Sequence, residues 1–206
     1  MPRVSRAEAG RNRAAIERAA SRLIRERGLG VSVADLMGAA GLTHGGFYGH
    51  FESKGELTAI ACAHAFADSV ERWRRRTAGA PDAAHAKAAL VRGYLTSYNR
   101  STPGSSCPMA TLAADVARED DGAPVRRVFR DGLEDLIGIL AAVQPEAQDD
   151  AEGGRAAALA EISTLVGALV LARATKGNAL SNEIMAAARR QLLGDESAEN
   201  AEAAHA

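Results

Sequence analysis

Two cysteines, Cys62 and Cys107, are all that the 206 residues supply. That is too few for a disulfide scaffold, and their separation fits no zinc-binding motif. No uninterrupted apolar stretch is long enough to span a bilayer, because Arg173 and Lys176 close the longest one, Ile162 to Ala172. The arginine-rich start contains no continuous apolar segment of the signal-peptide kind. These absences predict a reduced, cytoplasmic protein with no membrane contact. Proline is scarce, nothing reads convincingly as a strand, and no internal repeat is visible. There is no glycine-rich phosphate loop, and His44, His50, His64, His85 and His205 are scattered. No nucleophile, base and orienting group can be assembled from them, which disfavours an enzyme. A metal sensor built on Cys62 and His64 is disfavoured too, since positions i and i+2 on a helix do not face each other. No metal or cofactor is expected.

Hydrophobic residues make up 47% of the chain, enough for a real core in one domain or in a small domain fused to a larger one. The net charge of -1 says little about partners, but its distribution says more. Residues 1–54 carry nine bases against five acids, a balance of +4. Residues 144–206 carry ten acids against five bases, a balance of -5. A basic start and an acidic end suggest that only the first part meets a polyanion.

Apolar residues recur at helical spacing nearly everywhere. Ile16, Ala20, Leu23 and Ile24 form one stripe of a first helix, with arginines on the other faces, and Gly28 and Gly30 stop it. Ser32 caps a short second helix through Leu36 and Met37, which Gly41 ends. Thr43 can cap a third helix running to about His50. Ser53 and Glu56 have capping-box spacing and begin a fourth, which ends near Arg74–Arg76. Further helices are expected from Pro81-Asp82 to a break at 101–104, through Met109 to Val116, and from Pro124 to Leu140. Two last ones are expected over about 156–174 and 182–193.

Helix, glycine turn, helix within 33–50 is the geometry of a DNA-reading helix-turn-helix. By itself the pattern is weak. The fuller stretch Ser32-Val33 … Leu36 … Ala40-Gly41-Leu42-Thr43-His44-Gly45-Gly46-Phe47-Tyr48-Gly49-His50-Phe51-Glu52-Ser53-Lys54 … Leu57 resembles the N-terminal domain of the TetR family. That resemblance implies an all-α protein of about nine helices. Its N-terminal three-helix domain, residues 1–52, would bind DNA. A helical effector-binding and dimerisation domain would occupy 53–194, followed by a disordered tail at 195–206. The implied function is a transcriptional repressor that binds a palindromic or pseudo-palindromic operator as a homodimer and is released by a small-molecule or electrophilic effector. An activator of the same fold is the alternative; a helical enzyme using Cys107 is a remoter one.

Roles follow from chemistry together with the resemblance. Thr43 carries a short hydroxyl suited to capping and to a phosphate. Tyr48 and His50 stand at positions that in the family typically touch the DNA backbone. Lys54, near a helix N-terminus, suits another phosphate, and His44 is the candidate for the major groove. Phe47 and Phe51 are expected in the core with Leu23, Leu36 and Leu42. Gly45, Gly46 and Gly49 each cost about 1 kcal/mol of helix propensity against Ala. They leave few side chains for base edges, so close backbone approach and DNA shape become the expected means of recognition. Arg3, Arg6, Arg11 and Arg13 are candidates for an arm reaching the minor groove or phosphates.

Dimer contacts are expected from Ile162, Leu165, Val166, Leu169 and Val170 on the penultimate helix, with Ile184 on the last. An effector pocket is expected from Trp73, Tyr94, Tyr98, Cys107, Met109, Phe129 and Leu133. Cys107, beside Pro108 at a helix start, is the candidate redox sensor, since helix N-termini favour thiolate. Ser106-Cys107 followed by Leu112-Ala113-Ala114-Asp115-Val116 is similar to the N-ethylmaleimide-responsive repressors within the family. Cys62 is expected to be buried and inert.

Overall fold

The computed structural model describes residues 6–144 and 150–194, the side chain of Arg6 excepted. Among these residues the chain is entirely helical. The elements are α1 (Arg6–Arg27), α2 (Val33–Ala39), a 3-10 helix (His44–Gly49), α3 (Lys54–Ala78), α4 (Ala83–Tyr94) and α5 (Ser97–Ser101). A 3-10 turn (Pro103–Ser105), α6 (Met109–Val116), α7 (Pro124–Ala141), α8 (Ala151–Ala174) and α9 (Ala179–Leu193) complete it. The expected arm residue Arg3 and the expected tail lie outside the described residues.

Local chemistry explains most boundaries. Gly28 ends α1 at φ +82°, a left-handed conformation that an L side chain adopts only at a cost. Its amide still donates to the Ile24 carbonyl at 2.8 Å. Ser32 caps α2 with a full capping box. Its hydroxyl accepts from the Asp35 amide at 3.1 Å, and the Asp35 carboxylate accepts from the Ser32 amide at 3.2 Å. At α3, Ser53 Oγ accepts from the Glu56 amide at 3.0 Å, but Glu56 reaches the amide of Glu52 at 2.7 Å rather than that of Ser53.

Three elements differ from their expected extent. The helix after Pro81-Asp82 stops at Tyr94 and restarts as α5, although its apolar spacing runs on. Thr96 caps the new turn by accepting from the Asn99 amide at 3.1 Å. The Asn99 side chain meanwhile donates to the carbonyls of Gly93 and Tyr94 at 3.1 and 2.8 Å, satisfying groups the break sets free. α8 begins five residues earlier than expected because Asp150 is its cap, accepting from the Glu152 amide at 3.0 Å. Gly153 is a breaker by type, yet here it leaves room for that carboxylate, which a Cβ would crowd. α9 begins early because Asn178 caps it. Ser181, in turn, is buried and donates to the Ala172 carbonyl at 2.6 Å.

The chain forms two compact units: residues 1–69 with 103–133, and residues 70–102 with 134–206. The first holds the core residues Ile16, Ile24, Leu36, Met37, Phe47, Leu57 and Leu112, all fully buried. The second holds Trp73, Tyr94, Leu90, Leu136, Leu140, Leu165 and Leu169. Within it α8 lies against α9, and the Trp73 and Tyr94 rings meet edge to face at 6.1 Å. By length and composition α8 is the one helix among the described residues that could cross a membrane. Its inner face nonetheless carries Glu161, paired with Lys87 at 2.9 Å and with Gln144 at 3.0 Å.

Candidate DNA-binding surface

α1, α2 and the 3-10 helix assemble around a single apolar seam. Leu36 and Met37 of α2 and Phe47 of the 3-10 helix are fully buried, with Ile16, Ile24 and Leu23 contributed by α1. Phe47 anchors the reading segment. Its ring meets Phe51 at 5.6 Å and Tyr48, edge to face, at 5.2 Å. The segment from 44 to 49 is a 3-10 helix rather than the expected α-helix. Three glycines in six residues lower its α-helix propensity, and the tighter winding is the form short helical pieces take. Thr43 sits at its N-cap position, but its hydroxyl makes no cap hydrogen bond, so the expected capping role is absent.

Burying Phe47 turns its neighbours outward. Thr43, His44, Gly45, Gly46 and Gly49 are exposed, and Tyr48 is 72% exposed despite its ring contact with Phe47. His50 and Lys54 are half-buried at the junction with α3. The structure therefore brings every predicted contact residue from 43 to 54 onto one short continuous stretch of surface chain. A Cβ at Gly45 or Gly49 would meet nothing within 4 Å, and at Gly46 only the Met37 side-chain tip at 3.7 Å. The free protein does not require glycine at these sites for space.

Arg13 is a residue whose role sequence reasoning misread. It lies inside α1, not in an arm. Its guanidinium donates to the His50 carbonyl and to Glu56 Oε1 at 3.2 Å, pairs with Glu17 at 3.0 Å, and stacks over the Phe51 ring at 4.5 Å. It thus ties α1 to the end of the reading segment and to the start of α3. The Glu52 amide, and after it Arg13, holds the Glu56 carboxyl below its usual range. Hydrogen bonds from the Ser32 hydroxyl and amide do the same for Asp35. Arg25 also departs from the pattern of outward arginines. It is 6% exposed and donates to the carbonyls of Ser21 at 3.0 Å and Ser106 at 3.1 Å, with Asp68 at 3.7 Å. Arg18 and Arg22, i and i+4 on the solvent side of α1, are exposed beside Ala39 and Ala40 in a cleft of about 420 Å³.

The other predicted sites divide. Trp73, Tyr94 and Tyr98 belong to the second unit, and Tyr98 is 59% exposed. Cys107, Met109, Phe129 and Leu133 belong to the first. There, Phe129 and Leu133 line an open cavity between α6 and α7, whereas Cys107 and Met109 are buried and do not line it. Cys62 is fully buried, and burial pushes its thiol up to about 12. Of the expected dimer residues, Ile162, Leu165 and Leu169 are buried within the chain. Val166, Val170 and Ile184 keep open surface. Leu159, Leu171 and Leu180, not expected from the sequence, are exposed large apolar residues of the same two helices.

Residues 16–59 match the model of bacterial regulatory proteins of the TetR family. No curated protein matches the chain. Among solved structures, a TetR-family regulator from Agrobacterium tumefaciens is 21% identical with a TM-score of 0.73, over 89% of this chain and 98% of that one. A TetR regulator from Chloroflexus aurantiacus is 22% identical with a TM-score of 0.73, over 91% and 97%. E. coli NemR in its reduced form is 18% identical with a TM-score of 0.71, over 86% and 95%. At such identities these likenesses establish the fold, and residues 16–59 are similar to the N-terminal segment of the TetR-family regulators.

Proposed function

Starting from a chain that carries the TetR-family helix-turn-helix on a TetR-like all-helical fold, we propose that it is a homodimeric transcriptional repressor of a palindromic or pseudo-palindromic operator, released by a small-molecule or electrophilic effector. The observation that carries this reading is the exposed run from Thr43 to Lys54, held outward by buried Phe47 and Phe51. Thr43, Tyr48, His50 and Lys54 grip phosphates, and these contacts supply most of the affinity. His44 reaches a base edge. Gly45 and Gly46 let the backbone approach the groove, so DNA shape carries much of the selectivity. Arg18 and Arg22 add to the positive field on this side of the chain.

Two copies are needed to read two half-sites, about 34–36 Å apart or a multiple of it. The open apolar residues of α8 and α9 support pairing there, with Val166, Val170, Leu171, Leu180 and Ile184 as partner-facing positions. The division of labour falls near residue 52. Release follows when the effector-bound form holds the two reading segments at a spacing that no longer matches the grooves. Only an effector with different affinities for the two forms drives that change. Cys107, at the start of α6, is the candidate point of electrophile attack. The protein works by binding, in the cytoplasm, without catalysis or a cofactor.

Gel-shift titration on the region upstream of the protein's own gene tests this. Two protomers should occupy one inverted repeat in the nanomolar range, typical of specific binding at about 10⁻⁸ M. Equal affinity for all fragments of similar length would overturn it.

A further inference from the structure

An open cavity within the first unit has chemistry that points to one class of ligand. It measures about 910 Å³ and lies between the end of α6 and the first half of α7. Its apolar wall is made of Val116, Ala117, Phe129 and Leu133. Phe129 is fixed from behind by Phe66, ring against ring at 5.2 Å, edge to face. Three arginines, Arg126, Arg127 and Arg130, line the same space, with Asp121 as the one acid among the lining residues.

These three cations are not equivalent. Arg126 donates to the Glu119 carbonyl at 2.6 Å and pairs with Asp121 at 3.4 Å. Arg130 is held by its neighbour Asp131 at 3.1 Å. The Arg127 guanidinium makes no hydrogen bond or ion pair with any described residue. An exposed, uncommitted guanidinium beside a firm aromatic and aliphatic wall is the donor set for a carboxylate or sulfonate carried on an apolar body.

We propose that the α6–α7 cavity binds an amphiphilic organic anion, with its aryl or acyl body against Phe129, Leu133 and Val116 and its anionic group on Arg127. This rests on the reading of the chain as an effector-controlled regulator and names the effector's class. The site also has a short route to the reading domain inside the same unit. Asp115, next to Val116 on α6, accepts a hydrogen bond from the Leu29 amide at 2.9 Å, at the turn between α1 and α2. A ligand that shifts α6 therefore shifts an acceptor on which that turn depends.

The test uses the full chain and two fluorescent probes with nearly the same body, 8-anilinonaphthalene-1-sulfonate and the uncharged N-phenyl-1-naphthylamine. The sulfonate should bind at one saturable site per protomer, about tenfold more tightly than the neutral probe, the worth of one charge-assisted hydrogen bond. Arg127→Gln, at an exposed position, should erase that difference. Ala117→Phe, which sets a phenyl ring in the space the ligand body would occupy, should weaken binding of both. Equal binding of the two probes by the unsubstituted protein, or undiminished binding to Ala117→Phe, would overturn the proposal. Repeating the titration on DNA-bound protein separates the two readings. If the sulfonate binds as described and the DNA stays bound, the site stands and control by an effector of this class fails.

Discussion

Arg13→Met separates a strut from a DNA-contacting arm. The methionine keeps most of the side-chain stem and removes the guanidinium. Lost with it are the bond to the His50 carbonyl, the stacking over Phe51 and the Glu17 pair. The side chain is 39% exposed, so each is discounted for solvent. A part-solvated charge-assisted bond contributes about 1 kcal/mol, the cation–π contact about 0.5, and the i,i+4 pair about 0.3. The contributions share one group and are not strictly additive, which makes about 2 kcal/mol the expected loss. For a chain of this length that lowers the melting temperature by about 4–8 °C. Urea denaturation measures the first quantity, and fluorescence anisotropy on operator DNA at several salt concentrations measures a second. Affinity should fall, because the end of the reading segment loosens, while the slope of log K against log salt stays the same. A phosphate-contacting arm would give the reverse: unchanged stability and a slope smaller by about 0.9. That outcome would refute the strut.

Three further expectations follow from the same geometry. Gly28→Ala places a side chain at φ +82° and drives its Cβ into the Asp115 carboxylate, so about 2 kcal/mol should be lost. Gly30→Ala, which meets nothing within 4 Å, should be tolerated in the same melts. Gly45→Ala and Gly46→Ala should leave the free protein as stable or gain up to about 1 kcal/mol, yet weaken operator binding; unchanged affinity would remove the need for close approach. Finally, Asp35, Glu56 and Asp82 all have carboxyls held below their usual range by hydrogen bonds, in Asp82 first from the His85 amide. Their folded values lie below their unfolded ones, so their contribution is complete at neutral pH. It is lost as pH falls below about 5, and Glu56→Gln should flatten part of that loss in acid urea melts.

The sequence was most readable where side chain and backbone agree. The burial of Phe47 and Phe51, spaced i and i+4, was legible in this way, and it leaves Tyr48 between them exposed and His50 half-buried. Gly28 and Ser32 mark true helix ends for the same local reason. What was not legible depends on long-range partners. Nothing near Arg13 or Arg25 in the sequence distinguishes them from solvent-facing arginines. Beyond their i±4 neighbours Glu17 and Ser21, the partners that hold them lie far off in the chain, His50 and Glu56 for Arg13 at 37 and 43 residues and Ser106 for Arg25 at 81. The apolar stripe of α8 is similarly ambiguous. A helix hydrophobic around much of its circumference offers both an inner and an outer face, and only burial separates Leu165 and Leu169 from Val166 and Val170. The early starts of α8 and α9 were hidden because Gly153 gives room to a capping carboxylate and Ser181 donates to a buried carbonyl, contacts that the apolar spacing does not report.

The central claim is that this chain reads duplex DNA through the exposed stretch from Thr43 to Lys54. Selection of bound fragments from a genomic library tests it most directly, comparing the unsubstituted protein with the triple variant Tyr48→Ala, His50→Ala, Lys54→Ala. All three side chains have exposed or half-buried positions, so the variant should fold. The unsubstituted protein should enrich fragments sharing one inverted repeat, and the variant should enrich none. Enrichment of the same repeat by both proteins would contradict the account.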